Sequence, residues 1–442
     1  MREALAERER LLALAPHLIR PLRFVLPHVP GLRPRWQIRL GLLLYDHVGG
    51  RRRLPGSRPV GLAHDPSGGP LKAEFVHGFA YSDCRVDDSR LVVLNALDAA
   101  ARGAGILTRT RLLQARADRD GWQVVCEDVA SGRRFEVRAR ALVNAAGAWV
   151  NAVRSSAGLR AAERMRLIQG SHIVVPRLYE GEQAYILQNP DRRVVFAIPF
   201  EQRFTLIGTT DVPYEGDPAS VRSSAQEIAY LCDSVNRYFK RAVDPAEVAW
   251  TYSGVRALRD DEASEAAAVT RDYELDLERV EGGAPLLSVI GGKITTFRKL
   301  AEAALAKLRP LVGGSPHPWT HTAPLPGGAF ANGDLPGYIA DAQRRWPSLP
   351  ASLIARLTRA YGTRIERVLG RAASLAELGE SFGADLTAAE VEYLRAQEWA
   401  RTSDDILWRR SKLGLTIPQD GAARLERYLS TKTESTRWRA AQ

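Results

Sequence analysis

Residues Leu286-Leu287-Ser288-Val289-Ile290 run directly into Gly291-Gly292-Lys293-Ile294-Thr295-Thr296-Phe297-Arg298-Lys299-Leu300, a junction that few folds accommodate. The apolar run predicts a buried strand. Beyond the glycines, Ile294, Phe297, Ala301, Ala304, Leu305 and Leu308 recur at helical spacing and predict a helix with one apolar face. A strand that passes through two glycines into a helix lets backbone approach a flat cofactor or a phosphate, since no Cβ stands in the way. The first helical turn then carries N–H groups without intrahelical acceptors and a partial positive charge, which favours an anion. A plain strand-to-helix corner, with glycines for tight packing, gives the same pattern.

The 442 residues suffice for two or three domains with substantial cores, and 45% hydrophobic with 26% charged residues is ordinary for a soluble globular protein. No segment approaches the ~20 uninterrupted apolar residues of a transmembrane helix. The charged stretch Met1–Arg10 reads as a helix rather than a signal peptide, so a cytoplasmic location is expected. Cys84, Cys126 and Cys232 are widely spaced and form no CxxC, which fits a reducing compartment and argues against a metal held by sulfur. The net charge of +11 implies an anionic partner: a phosphorylated metabolite, an acidic membrane face or nucleic acid. The basic residues are scattered and accompany no nucleic-acid-binding motif, so no nucleic acid is expected. Between Leu11 and Leu44, Arg alternates with large apolar residues and prolines. That composition suits an amphipathic basic surface in a headgroup layer, and equally an irregular segment packed on the core.

Along the chain, residues 1–48 read as short helices broken by Pro16, Pro21, Pro27, Pro30 and Pro34. Asp87-Asp88-Ser89-Arg90 opens a helix reaching Gly103, and an antiparallel insertion and a strand ending at Ala145-Ala146-Gly147 follow. This order suits one half of a doubly wound α/β sheet. A mixed β domain inserted at about 165–285, with a helix near Ala225–Phe239, would complete residues 1–312. Residues 313–329 read as a Pro- and Gly-rich linker, and 330–442 as an all-α domain without strand signal.

Three cations stand out. Arg256 lies just past an apolar strand and Gly254; Arg271 follows in Thr270-Arg271-Asp272-Tyr273; Lys293 begins the helix after the glycines. Together they could clamp one phosphate, Arg through a bidentate fork and Lys as a point charge. Structural ion pairs with Asp260, Asp261 and Asp272 are the alternative. His172, leading the strand Ser171–Val175, is a candidate general base or a hydrogen-bonded structural residue. His317 and His321 lack companion Cys or carboxylate ligands, so no metal site is expected. Gly208-Thr209-Thr210-Asp211 ends a strand with hydroxyls that meet a cofactor ring or close a loop.

Taken in order, Tyr81-Ser82-Asp83-Cys84-Arg85-Val86-Asp87-Asp88-Ser89-Arg90-Leu91, Gly170-Ser171-His172-Ile173-Val174-Val175-Pro176, Gly208-Thr209-Thr210-Asp211-Val212, Tyr252-Ser253-Gly254-Val255-Arg256, Thr270-Arg271-Asp272-Tyr273 and Gly291-Gly292-Lys293-Ile294-Thr295-Thr296 resemble the aerobic FAD-dependent glycerol-3-phosphate dehydrogenases. Residues Trp399–Leu415 resemble that family's helical cap domain. The resemblance spans essentially the whole chain. It implies a DAO-like FAD-dependent oxidoreductase of the two-dinucleotide-binding-fold type. It also implies oxidation of glycerol 3-phosphate to dihydroxyacetone phosphate, with electrons passed to a quinone at the inner face of the cytoplasmic membrane. On this sequence it puts Arg256, Arg271 and Lys293 around the substrate and His172 near it as proton acceptor. It puts Gly147 in a cofactor-contacting turn and Gly292, Lys293, Ile294 and Thr295 beside the isoalloxazine. A homo-oligomer and the quinone species are left open.

The family's opening strand, Gly-rich turn and helix, a βαβ start of ~30 residues, has no counterpart here, and Gly103-Ala104-Gly105 is no substitute. Two expectations follow: either translation starts upstream of Met1, or the chain is an inactive fragment of that enzyme. An amino-acid-oxidase-like flavoprotein, with the cations binding a carboxylate, is the third alternative.

Overall fold

The computed structural model describes residues 2–48, 54–161, 165–259, 272–280 and 283–440. In chain order, α1 (Arg2–Leu14), β1 (Ile19–Pro27), α2 (Arg35–Val48), β2 (Arg58–Gly61) and β3 (His77–Val86) precede α3 (Asp88–Ala101). Next come β4 (Thr110–Asp118), β5 (Gly121–Asp128), β6 (Arg134–Ala139), β7 (Leu142–Asn144) and α4 (Val150–Ser156). Then follow β8 (Met165–Pro176), β9 (Ala184–Gln188), β10 (Val194–Phe200), β11 (Phe204–Gly208), β12 (Val212–Pro213), α5 (Ala225–Asn236), β13 (Trp250–Arg259), β14 (Glu274–Arg279) and β15 (Pro285–Ile290). The last elements are α6 (Phe297–Val312), α7 (Leu335–Arg345), α8 (Ala351–Tyr361), α9 (Ile365–Leu369), β16 (Ser381–Gly383), β17 (Leu386–Thr387), α10 (Ala388–Glu398) and α11 (Gln419–Ala440). They form two compact units, one of residues 1–8, 22–83 and 109–321, the other of residues 9–21, 84–108 and 322–442.

The first unit is built on a mixed sheet in the order β12-β8-β11-β10-β9-β1-β3-β2, with β13 also paired to β8. Strands β10 and β11 alternate in burial because one face packs on a core, whereas β8 is buried on both faces along most of its length. Val195 and Ala197 of β10 join Ile173, Tyr185 and Ile207 there, against Leu231 and Val235 of α5. A smaller sheet, β14-β15-β7, pairs β15 with β7 in parallel and with β14 antiparallel. Leu287 of β15 packs on Ala304 and Leu308 of α6, so the predicted strand and helix both form and share an apolar face. The face is narrower than the periodicity predicts: Ile294 and Leu305 are exposed. The antiparallel insertion is the ladder β4-β5-β6, tied to β15 by Trp122, whose Nε1 donates to the Pro285 carbonyl at 2.9 Å.

Residues 19–27 depart from the expected broken helices and form β1, which pairs in parallel with β9 through Phe24 and Val25. Leu22, Phe24, Val25 and Leu26 are all buried, so this part of the Arg-rich segment is core and not a lipid-facing surface. Proline ends a helix by removing a donor and clashing with the preceding turn, but a strand tolerates it near its ends, and Pro21 and Pro27 stand near the two ends of β1.

The second unit gathers α3 and α7 to α11 around Leu353, Ile354, Leu357, Tyr361, Val391 and Leu394. Asp87 caps α3, accepting from the Arg90 N–H at 3.2 Å, as the acidic opening of that helix predicts. Arg90 is itself buried and donates from Nη2 to Glu398 Oε1 of α10 at 2.8 Å, with its guanidinium 4.9 Å from the Tyr361 ring. One expectation fails here: β16 and β17 make a short antiparallel ladder, with Phe382 and Leu386 fully buried.

Candidate active site

Strands β8 and β13 form the frame of the site. Their register sets Tyr252 opposite His172, Gly254 opposite Gly170, and Arg256 opposite Ile168. Arg256 therefore lies within a strand and not past its end, and the ladder fixes its Cα. Its guanidinium folds over Gly170, where a Cβ would stand 2.5 Å from Nη2 and 2.7 Å from Thr209 Oγ1. A side chain at that crossing would push the guanidinium aside. Nη2 pairs with Asp211 Oδ1 at 2.8 Å and donates to the Thr210 carbonyl at 3.3 Å. Among the described residues, Nε and Nη1 have no protein partner, and a third of the side chain is open to solvent. A guanidinium held by one nitrogen and free at the others is set to receive an anion.

The His172 imidazole stacks on Tyr252 with ring centroids 4.9 Å apart and planes 6° apart. On its other side is Gly208, where any Cβ would collide with the ring at 2.1 Å. Nδ1 is buried and has no hydrogen-bond partner among the described residues. Burial, and then the nearby charge of Arg256, push the His172 pKa down to about 4, so the ring is neutral at physiological pH.

Lys293 does not open the α-helix. It is the N-cap of a single 3-10 turn, Ile294–Thr296, and α6 begins at Phe297. Its ammonium pairs with Asp272 Oδ1 at 2.9 Å, and this hydrogen bond holds the Asp272 carboxyl below its ordinary value. Asp272 is largely exposed, so the pair is of the weak surface type and easily exchanged for a ligand anion. Gly291 and Gly292 have φ of +69° and +107°, and a Cβ on Gly291 would press on the Asp272 carbonyl at 2.9 Å. Thr295 is half-buried in the same turn, and Ile294 is exposed. Arg271, Asp260 and Asp261 lie outside the described residues.

Gly147, with φ of +57°, starts the turn Gly147–Trp149 after β7. Asn144 anchors this turn by donating to the Val150 carbonyl at 2.9 Å. The turn and β15 both pack against β13, so the elements carrying Gly147, Arg256 and Gly291-Gly292-Lys293 are neighbours. No heavy atom lies within 4 Å of where a Gly147 Cβ would be. Each glycine turn also presents a large exposed apolar residue, Trp149 in one and Ile294 in the other. Open backbone at positive φ beside apolar surface fits a flat, partly anionic cofactor such as a flavin.

A polar cluster behind Arg256 escaped the sequence reading. Glu227, in the first turn of α5, accepts from Ser171 Oγ and Thr210 Oγ1, each at 2.7 Å, and from Gln169 Nε2 at 2.9 Å. It also accepts from the backbone N–H of Ser224 at 2.9 Å, closing a capping box. Burial alone would raise its pKa, but the donors from Ser224, Ser171 and Thr210 outweigh that and hold the carboxyl below its ordinary value. The Gly208–Asp211 hydroxyls thus serve partly to close a loop, with Thr210 turned to Glu227. Ser224-Ala225-Gln226-Glu227 before an apolar run was the available signal.

Residues 1–296 match the profile of the FAD dependent oxidoreductase family, and residues 318–442 match the C-terminal domain of alpha-glycerophosphate oxidase. A glycerol-3-phosphate dehydrogenase of Pseudomonas aeruginosa is 52% identical over 98% of this chain and 84% of its own length. A D-erythritol 1-phosphate dehydrogenase of Brucella abortus is 49% identical over 93% and 82%. Among solved structures, the FAD complex of glycerol-3-phosphate dehydrogenase from Bacillus halodurans superposes with a TM-score of 0.74 at 24% identity, covering 97% of this chain and 84% of that one. The chain belongs to the FAD-dependent glycerol-3-phosphate dehydrogenase family.

Proposed function

We propose that the protein oxidises the C2 hydroxyl of glycerol 3-phosphate to the ketone of dihydroxyacetone phosphate and passes the electrons to a quinone. The observation that carries this reading is the Arg256 guanidinium, held by Asp211 at 2.8 Å and open at Nε and Nη1, beside a neutral His172. Arg256 binds the phosphate by its free donors. Lys293 exchanges Asp272 for the substrate anion, and Arg271 adds a third cation. His172 takes the hydroxyl proton. With Nδ1 enclosed, Nε2 is the ring nitrogen left to receive it. Gly147 and the stretch Gly292-Lys293-Ile294-Thr295 hold the cofactor through backbone groups. FAD, when bound, supplies the acceptor for the hydride leaving C2, which balances the two electrons and one proton.

Replacing Arg256 by Ala removes charge-assisted hydrogen bonds to the phosphate and is expected to lower kcat/KM for glycerol 3-phosphate on the order of 10²-fold. Steady-state turnover with an artificial electron acceptor measures this, and an unchanged kcat/KM would sink the assignment. D-erythritol 1-phosphate carries the same phosphate and secondary hydroxyl on a longer chain. Faster turnover of it than of glycerol 3-phosphate would move the substrate to that polyol phosphate, and turnover of amino acids alone would overturn both.

The proposed site of electron delivery is an anionic membrane surface on the cytoplasmic side. No helix among the described residues is long and apolar enough to cross a membrane. The exposed face of α2 supports a peripheral contact: Trp36, Leu40 and Leu44 recur every four residues and are 50–69% exposed, with Arg35 and Arg39 on the same helix.

A further inference from the structure

We infer that Glu227 is a positioning residue for the anion site, aiming the Arg256 guanidinium through the Thr210–Asp211 turn; this rests on the proposed role of Arg256. The route is continuous. Thr210 donates its hydroxyl to Glu227 at 2.7 Å, and the same oxygen accepts from the Ser171 N–H at 2.9 Å. The Thr210 carbonyl in turn accepts from Arg256 Nη2 at 3.3 Å, and the next residue, Asp211, holds that nitrogen at 2.8 Å. Both groups that aim Arg256 thus hang on a peptide fixed by Glu227.

The carboxylate reaches the other strands of the site as well. Ser171 and Gln169, which flank the crossing at Gly170, both donate to it. Ser171 also shares a hydrogen bond with Ser253 of β13 at 2.8 Å, and Ser253 meets Ser223 at 2.9 Å. Glu227, Ser171, Thr210 and Gln169 are all buried, which limits the competition of water for these bonds. An ordinary capping box needs only Ser224 and the helix's own N–H groups. The three additional donors bind α5 to β8, which carries His172, and to the Thr210 turn, which holds the Arg256 guanidinium.

A carboxylate accepts at both oxygens, whereas an amide must turn a donor toward one set of partners. In Glu227→Gln the Ser224 N–H retains the amide oxygen, so the NH2 faces the Ser171 and Thr210 hydroxyls and the turn loses its acceptor. The test uses the FAD-loaded full chain. The readouts are KM and kcat for glycerol 3-phosphate, and competitive inhibition by inorganic phosphate, which reports the anion site without turnover. In E227Q, KM and the phosphate inhibition constant are each expected to rise roughly tenfold, as for one hydrogen bond lost, with kcat moving less. In an Arg256→Ala background the same change is expected to add almost nothing, since the group being aimed is gone. A full tenfold effect in both backgrounds would make Glu227 merely structural and overturn the inference, as would unchanged constants in E227Q. If E227Q fails to fold, Thr210→Val removes one hydroxyl and carries the same expectations. Should Arg256→Ala itself leave KM and phosphate inhibition unchanged, the anion site lies elsewhere, and the proposed function fails before Glu227 is judged.

Discussion

His172 sits between the Tyr252 ring and the backbone at Gly208, with Arg256 close enough to oppose its protonation. Its pKa is pushed down to about 4 from 6.5, so the sign is that of a depressed base: the competent neutral form persists until the pH falls through the lowered value. The kcat/KM profile, corrected for the substrate phosphate, is therefore expected to stay level from about pH 8 to about pH 5 and to fall only below that. A decline centred at the ordinary histidine value would contradict the enclosed geometry. Single residues were partly legible in advance. Arg256, His172 and Lys293 stand out as polar groups at strand and turn positions, and Asp272, named as an ion-pair partner, does meet Lys293, but the partner of Arg256 was not legible. Asp211 meets Arg256, because the partner is set by which strand lies across Gly170. Glu227 is separated from Ser171 by more than fifty positions, and no local pattern ties the two.

At the scale of elements, patterning served best where one face is buried and worst where prolines interrupt it. The strand-glycine-helix junction of β15 and α6 and the alternating strands β10 and β11 follow directly from periodicity. Strand β1 did not, since Pro21 and Pro27 argue against a helix without arguing for a strand, and its pairing with β9 is a long-range event. The neighbouring helix α2 is different. It leaves Trp36, Leu40 and Leu44 in solvent, and burying such a stripe in a headgroup layer stabilises binding, with each nearby Arg adding on the order of 1 kcal/mol at an anionic surface. The protein is expected to co-sediment with vesicles containing an acidic phospholipid. Trp36→Ser with Leu40→Ser should release most of it. Equal sedimentation of the double variant would remove α2 from the contact.

For the whole molecule, the sheet-built unit carries every described candidate for cofactor and substrate contact, from Gly147 to Thr295. The helical unit holds itself together through its own apolar core and the buried Arg90–Glu398 pair. Breaking a pair of that type leaves a buried charge without a partner, so removing one of the two residues alone is expected to destabilise the unit by about 3–5 kcal/mol. The sequence changes from β-rich to helical patterning, whereas residues 9–21 and 84–108 join the helical unit from far upstream. The most direct measurement of the central claim is the visible spectrum of the FAD-loaded protein on anaerobic addition of glycerol 3-phosphate. Loss of the oxidised flavin bands, absent in Arg256→Ala at the same concentration, is the expected result; bands that persist with glycerol 3-phosphate but are lost on adding an amino acid would contradict it.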